Sequence, residues 1–397
     1  MAAAVTPSEP VSPYRILHVF RAPVGGLFRH VVDLTRLQAA AGHAVGIVCD
    51  ATTGGERAEQ ALADLAPCLT LGVVRVPMRR NPHPSDAFTL RAVRNRASQV
   101  GANVVHGHGA KGGAYARLAP LRTPAIRAYT PHGGSYNYRP GTPLHRLYMG
   151  AEAVLARRTD VFLFESEYVA GRHRSYVGGP ERVTRIVHNG LSEAEFAPIV
   201  PARDRYDLLY VGELREAKGL PVLLQAFARL RAQGRPLRLL MVGSGPDADA
   251  VRASADRLGL SCAIAFEPAQ AIRPVLARGR ILVVPSFAES LPYVVLEAAA
   301  AAQPLVATNV GGIPEIFGQE AGALVPPRDA DALAGAVARV LDEAPDAREA
   351  RFRALSDAVR QRFSMERMGA DVLSGYAAAF RARRATGRGL IRQPETA

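Results

Sequence analysis

Residues 281–308 read ILVVPSFAESLPYVVLEAAAAAQPLVAT, and their reading decides the fold. Ile281–Val284 is a continuous apolar run closed by Pro285, the pattern of a parallel strand buried on both faces. Pro292 suits the first turn of a helix, where its missing N–H costs nothing. Pro304 stops that helix, and Leu305-Val306-Ala307 resumes the strand pattern. Strand, loop, helix, strand is the repeating unit of a parallel α/β sheet.

Two carboxylates lie within it, Glu289 on the loop and Glu297 in the helix. Around Glu297 stand Val294, Val295, Leu296 and five consecutive alanines, so the helix is apolar almost all round and reads as buried. A lone carboxylate there costs several kcal/mol unless it is paired or hydrogen-bonded. Either a structural partner holds Glu297, or it faces a crevice and accepts hydrogen bonds from ligand hydroxyls. The loop carrying Glu289 follows a strand, and open α/β sheets bind ligands at those carboxyl ends.

The same alternation extends in both directions. Strands are expected at 15–20, 44–49, 73–76, 104–106, 125–130, 161–164 and 183–187, and again at 207–211, 237–242 and 262–266. The chain divides into an N-terminal tail at 1–14, a first doubly wound domain at 15–190 and a linker at 191–206 with Pro198 and Pro201. A second doubly wound domain follows at 207–363. A helix at 364–385, capped by Ser364, is expected to pack back on the first domain, and 386–397 is expected to be a disordered tail. Two such domains would face each other across a central cleft, a usual place for a ligand.

The 397 residues and 48% apolar content suit two globular domains. No run approaches eighteen uninterrupted apolar residues, and the N-terminal tail lacks the apolar core of a signal peptide. Cys49, Cys68 and Cys262 form no CxxC pair, which argues against a disulfide framework and a thiolate metal site and makes the cytoplasm the default compartment. The net charge of +13 points to an anionic partner. Nucleic acid is disfavoured, since tryptophan is absent and no binding motif occurs.

Lys218 ends the stretch Gly212-Glu213-Leu214-Arg215-Glu216-Ala217-Lys218 and precedes a helix. The chain uses 47 arginines and two lysines, so a lysine here is a departure from its own habit. A compact ammonium at a helix N-terminus suits a phosphate, the alternative being a surface lysine. His132, in Thr130-Pro131-His132-Gly133-Gly134, follows a strand and titrates near neutrality, so it either relays a proton or is a histidine satisfied by backbone groups. Gly25-Gly26 follows the first strand and on local evidence is a simple turn or a loop that a ligand approaches. His106-x-His108 and Lys111 lie at another strand end, where acceptor phosphate or loop structure is favoured over metal, because no carboxylate or cysteine is near. Asp247-x-Asp249 reads as a helix start, where acidic residues suit the macrodipole.

Glu289-x7-Glu297, the 212–219 stretch, Val310-Gly311-Gly312-Ile313-Pro314-Glu315 and His188-Asn189-Gly190 together resemble the retaining nucleotide-sugar glycosyltransferases of family 4, with the GT-B fold. The resemblance covers roughly 15–380 and is strongest over 207–327. It implies that Glu297 holds the ribose hydroxyls of the donor, Glu289 contacts the transferred sugar and Lys218 lies on the diphosphate. It places Gly212, Ser290, Leu291 and the backbone N–H groups of Tyr293, Val294 and Val295 around the same donor. His132 is implied beside the reacting sugar, with Gly25, Gly26, His108 and Lys111 towards the acceptor. Two departures stand out. Glu213 occupies the place of a family arginine, for which Arg215 is the candidate replacement. Glu-Gly-Phe-Gly becomes Glu289-Ser290-Leu291-Pro292, and Pro292 removes a backbone donor.

The expected activity is therefore metal-independent transfer of a sugar, with no cofactor beyond the nucleoside-diphosphate sugar. The acceptor is a glycan or polyprenyl-diphosphate-linked glycan, with peripheral contact at the inner face of the cytoplasmic membrane. The rivals are an epimerase or phosphorylase on the same fold and a non-catalytic nucleotide-sugar-binding protein.

Overall fold

Two all-parallel sheets form from the apolar runs. The computed structural model describes residues 13–122, 124–179 and 182–386. Apart from residues 13, 14 and 386, the two terminal tails read from the sequence lie outside the described residues. The chain divides into two units, the first comprising Met1–Phe164, Arg174–Val187 and Gly369–Ala397, the second Glu165–His173 and His188–Met368.

Among the described residues unit 1 holds seven strands: β1 Arg15–Phe20, β2 Ala44–Asp50, β3 Val73–Val76, β4 Val104–His108, β5 Ile126–Thr130, β6 Val161–Phe164 and β7 Val183–Ile186. Their spatial order is β3-β2-β1-β4-β5-β6-β7. Successive side chains of a strand point to opposite faces, and β1 supplies both cores. Leu17 and Val19 join one cluster with Val48, Val93 and Val105, while Phe20 joins the other with Phe28, Val31 and Ile47. Unit 2 holds β8 Tyr206–Val211, β9 Leu239–Val242, β10 Ile264–Glu267, β11 Gly279–Val284 and β12 Leu305–Ala307, ordered β10-β9-β8-β11-β12 around a single large core.

In each sheet the order reverses direction once, between β1 and β4 in unit 1 and between β8 and β11 in unit 2. At such a switch point the flanking loops diverge and open a crevice at the carboxyl ends of the strands. The candidate residues gather at these two places.

The helix in the opening stretch runs Tyr293–Ala300, with Pro292 at its N-cap in extended conformation (φ −74°, ψ 124°), one residue outside the first turn expected for it. A proline φ fits both positions, and the N-cap also needs no N–H. Residues 191–206 lie along unit 2. Leu191 and Phe196 are buried there, and the Arg273 guanidinium donates to the Glu195 carbonyl at 3.0 Å. From Gly369 onward the last helix, Met365–Ala385, packs in unit 1, where Tyr376 is wholly buried and Arg383 pairs with Asp160 at 2.8 Å. Among the described residues, no helix is long and apolar enough to cross a membrane.

One buried ion pair fixes the surroundings of His132. Arg117 meets Glu152 at 2.7 Å with neither side chain more than 4% exposed, and its guanidinium stacks 3.7 Å over the Tyr129 ring. Tyr129 and Ser135 donate to the other Glu152 oxygen at 3.1 and 2.8 Å. Arg117 Nε donates to the Gly113 carbonyl at 2.9 Å, so both Glu152 oxygens and two of the three guanidinium nitrogens are hydrogen-bonded, which offsets much of the cost of burying the pair. Here it ties the helices Gly109–Leu118 and Pro143–Ala156 to the turn that follows His132.

Candidate functional site

In unit 2 the loops after β8 and β11 are locked together by glycines. Gly219 lies at φ 71°, and a Cβ there would overlap the Pro285 carbonyl oxygen. This close approach lets Phe287 N–H donate to the Ala217 carbonyl at 2.9 Å and brings Lys218 Nζ to 2.6 Å from Glu289 Oε1. Ser286 Oγ donates to the same Glu289 oxygen at 2.7 Å, and Glu289 is only 9% exposed. From the other side Gly311, at φ 60°, leaves room for the Glu289 carbonyl, and Gly312 N–H donates to the Ser290 carbonyl at 2.7 Å. Asp247 also contributes, since its carboxylate accepts from Glu216 N–H at 2.6 Å and so anchors the turn carrying Lys218. It stands at the N-cap of the helix Ala248–Arg257.

Gly219→Ala is expected to destabilise unit 2 by roughly 2 kcal/mol or more, from the positive φ and the backbone overlap together. It should also displace Lys218. The measurement is a thermal melt with a parallel nucleotide-binding assay, and unchanged values in both would show that the loop yields freely.

Glu297 lies on the helix beyond this loop and is partly exposed, whereas Val295, Leu296, Ala298 and Ala299 around it are buried. Leu291 and Tyr293 are buried, and Ser290 and Val294 are partly exposed. Val295 N–H is directed to the Pro292 carbonyl at 3.2 Å, so it serves the first turn of the helix. Gly212 closes against β9, donating to the Val242 carbonyl at 3.0 Å. Arg215 pairs with Glu213 at 3.5 Å, both side chains being almost half exposed. Such a pair adds little stability, but it offsets the negative charge of Glu213. Glu315 caps the helix Glu167–Tyr176, accepting from the N–H groups of Glu167 and Tyr168 at 2.9 Å, and lies 3.1 Å from His188 Nε2.

In unit 1 the β1/β4 switch point holds a group of histidines. His18 and His106 are register partners on adjacent strands, His108 ends β4, and His132 follows β5. Gln38 Oε1 lies 2.8 Å from His18 Nε2, His18 Nδ1 lies 2.9 Å from His108 Nε2, and His108 Nδ1 lies 3.2 Å from His132 Nε2. An amide oxygen only accepts, and Gln38 Nε2 donates to Tyr376 Oη at 3.4 Å. The chain that starts at this oxygen then assigns the protons of three imidazoles. His18, His108 and His132 each carry hydrogen on Nε2, and His132 keeps Nδ1 as an acceptor. Tyr376 Oη lies 2.7 Å from His106 Nδ1, and His106 Nε2 lies 2.9 Å from Thr130 Oγ1, so His106 is hydrogen-bonded at both nitrogens.

Burial pushes the His18 imidazole down to about 4, with the Gln38 bond opposing. Burial and the neighbouring imidazoles hold His106 and His108 well below the ordinary histidine range, and burial with His30 does the same for His132. All are therefore neutral at pH 7. His18, His106 and His108 are wholly buried, while His132 is partly exposed and ends the chain. His132 also sits at φ 52°, a left-handed conformation costing roughly 1–2 kcal/mol, followed by Gly133 and Gly134 at φ 71° and 42°.

The remaining expected residues fall into two kinds. Gly25 and Gly26 are exposed at the start of the helix Gly25–Ala40, and Gly25 (φ 64°) has open space where a side chain would lie. Lys111 is held by Asp86 at 2.6 Å and the Asn81 carbonyl at 3.0 Å, tying its helix to the helix Asp86–Gln99. Reading the sequence left out His18, His30 and Gln38. The available signal was a histidine inside the apolar run of β1, one turn of the fold away from His106.

Residues 24–195 match the family model described as Glycosyltransferase Family 4, and residues 205–343 match Glycosyl transferases group 1. The glycogen synthase of Mycobacterium tuberculosis is 28% identical over 91% of this chain and 93% of its own length. Among solved structures, sucrose-phosphate synthase from Thermosynechococcus elongatus superposes with a TM-score of 0.76 at 21% identity, covering 93% of this chain and 100% of that one. Anabaena HepE in complex with UDP gives 0.74 at 16% identity, over 92% and 100%. The likeness establishes the fold as GT-B, two parallel-sheet α/β domains.

Proposed function

This chain belongs to the glycosyltransferases of family 4, and we propose that it moves a hexose, with retained anomeric configuration, from a nucleoside-diphosphate sugar to a glycan or polyprenyl-diphosphate-linked glycan. The observation that carries the reading is the Lys218–Glu289 pair at the β8/β11 switch point, with Glu297 partly exposed on the next helix. An ammonium has three donors, so Lys218 keeps Glu289 in place with one and offers the others to diphosphate oxygens. Its fixed positive charge stabilises the departing nucleoside diphosphate, and Arg215 supports it from the same loop, a role other enzymes give to a metal. Glu289 accepts from hydroxyls of the transferred sugar and Glu297 from those of the ribose. Neutral His132, with Nδ1 as acceptor, orients the hydroxyl of the incoming glycan, whose proton passes to the departing diphosphate.

A UDP-sugar is the first donor to try, because the similar HepE fold was solved with UDP. Glycan acceptors are favoured by the kinship to a glycogen synthase, and a lipid-linked acceptor by the basic charge of the first domain. In a thermal-shift screen of UDP-glucose, UDP-galactose, UDP-N-acetylglucosamine and GDP-mannose, the true donor at a hundredfold excess over its dissociation constant should stabilise by about 2.7 kcal/mol. Glu297→Ala should abolish that shift, whereas His132→Ala should keep it and lose turnover. Equal loss of donor binding in both variants would sink the assignment of roles, and inversion at the product's anomeric carbon would sink retention.

A further inference from the structure

The imidazoles of unit 1 form two groups in which one ring nitrogen of each member lies within 4.8 Å of the others: His18 with His106 and His108, and His30 with His108 and His132. In the first group both nitrogens of His18 and both of His106 are already hydrogen-bonded, and all three side chains are wholly buried. That group is closed to a cation. The second is drawn from three elements, His30 from the helix Gly25–Ala40, His108 from the end of β4 and His132 from the turn after β5. His132 is partly exposed, so this group opens to solvent at one corner.

The hydrogen-bond chain prepares one ligand atom. Gln38 Oε1 accepts from His18 Nε2, which leaves His18 Nδ1 to accept from His108 Nε2. His108 Nδ1 is therefore a lone pair on a ring held by its other nitrogen, the way a metal-ligating imidazole is normally oriented. It lies 3.2 Å from His132 Nε2. Two nitrogens that each stand about 2.0–2.1 Å from a tetrahedral zinc ion are about 3.3 Å apart, so this spacing also suits one edge of a zinc tetrahedron. The His30 ring, its centroid 4.8 Å from that of His132, supplies the third nitrogen. It has to close by no more than about 1.5 Å to complete the face. No carboxylate or thiol belongs to the group. Three neutral imidazoles suit zinc and its neighbours, whereas magnesium and calcium take oxygen ligands.

We propose that His30, His108 and His132 bind one divalent ion of the zinc class, and that the ion shuts off transfer by reversing the hydrogen-bond polarity of His132. The ion takes the lone pair at His132 Nε2, so the ring hydrogen moves to Nδ1 and no proton is gained or lost. Nδ1 then donates at the place where the hydroxyl of the incoming glycan needs an acceptor. The site stands on the geometry of unit 1, whereas its effect on turnover rests on the role of His132 proposed above. Donor binding, assigned to residues of unit 2, is left intact.

The test takes the full chain, stripped of metal by chelator and dialysis, and titrates it with Co²⁺. A single equivalent should develop the intense visible absorption of tetrahedral Co²⁺, and Zn²⁺ but not Mg²⁺ should displace it. Gln38→Leu, which removes the oxygen that orders the tautomers, should weaken Zn²⁺ binding by about tenfold, and His30→Asn by about a hundredfold. Circular dichroism melts establish that both variants fold. In the wild type Zn²⁺ should lower turnover in step with occupancy while the donor-induced thermal shift persists. His30→Asn, compared with its own zinc-free rate, should be inhibited only at correspondingly higher Zn²⁺. No tetrahedral band in the wild type, or a band undiminished in both variants, would overturn the site. Turnover unchanged or raised at full occupancy would overturn the inhibition. Loss of the donor-induced shift in the zinc-free wild type counts instead against the transferase reading, on which the cobalt titration does not depend.

Discussion

Lowering the pH from 7 to 5.5 is expected to remove on the order of 5 kcal/mol of stability from unit 1, long before the carboxylates titrate. The cause is the histidine chain at the β1/β4 switch point. His18, His106, His108 and His132 are held neutral in the fold, with pKa values depressed below the ordinary 6.5, that of His18 to about 4. In the unfolded chain the same side chains take up protons through 6.5. Across the interval the unfolded state therefore binds more protons, so stability rises with pH and is lost as pH falls. Each histidine that stays neutral at pH 5.5 costs on the order of 1 kcal/mol there, so the cluster together costs several, comparable to the whole stability of an ordinary domain. A proton that does enter meets Gln38, His30, Thr130 and Tyr376, none of them a carboxylate. Asp50 and Asp86, whose carboxyls are lowered by their hydrogen bonds despite burial, withdraw their support only below about 4, outside this interval. Denaturant unfolding at pH 7.5, 6.5 and 5.5 reads the effect. His18→Gln with His108→Asn should flatten the pH dependence by about half. A wild-type stability that is level from pH 7.5 to 5.5 would refute neutral burial of the cluster.

The strands were legible because a buried parallel strand writes itself as an unbroken apolar run. Val161–Phe164 and Leu305–Ala307 begin and end where those runs do, and Arg15–Phe20 and Val73–Val76 keep the bounds expected for them although His18 and Arg75 interrupt their apolar pattern. Glu297 was legible for the complementary reason, a charge where the apolar pattern demanded none. What the sequence withheld are the pairings across distance. Lys218 and Glu289 stand 71 residues apart, and their contact depends on the room that Gly219 leaves for a backbone carbonyl. Lys111, at a strand end, is paired with Asp86 on a helix twenty-five residues earlier, a contact that no local window shows. The histidine chain is hidden in the same way. His18, His106 and His108 become one network only through the register of β1 on β4, and no local window contains more than two of them.

The second large effect is expected at Lys218. Lys218→Met should lower turnover by about a hundredfold to a thousandfold, the loss typical when one fixed charge on a departing anion is removed. It should weaken nucleoside-diphosphate binding and also cost stability, because Glu289, 9% exposed, is left with Ser286 as its side-chain donor. An unpaired buried carboxylate of this kind costs roughly 1–3 kcal/mol. Glu289→Gln should behave differently, since the amide oxygen still accepts from Lys218 and Ser286. The fold and nucleoside-diphosphate binding should survive, while the contact to the sugar hydroxyls loses its charge and turnover falls. Lys218→Arg is expected to fail as a substitute, although this chain uses arginine almost everywhere else. A planar guanidinium cannot occupy the 2.6 Å position against Oε1 and still point donors at a diphosphate. The decisive comparison is the double variant, Lys218→Met with Glu289→Gln. Its melting temperature should recover most of what Lys218→Met lost, because no charge is stranded, but its turnover should stay at the level of the worse single variant. Turnover recovering together with stability would show that Lys218 serves the fold alone. Stability and turnover failing additively would show that the two side chains act independently, and the pair at the β8/β11 switch point would then have no joint part in holding the donor.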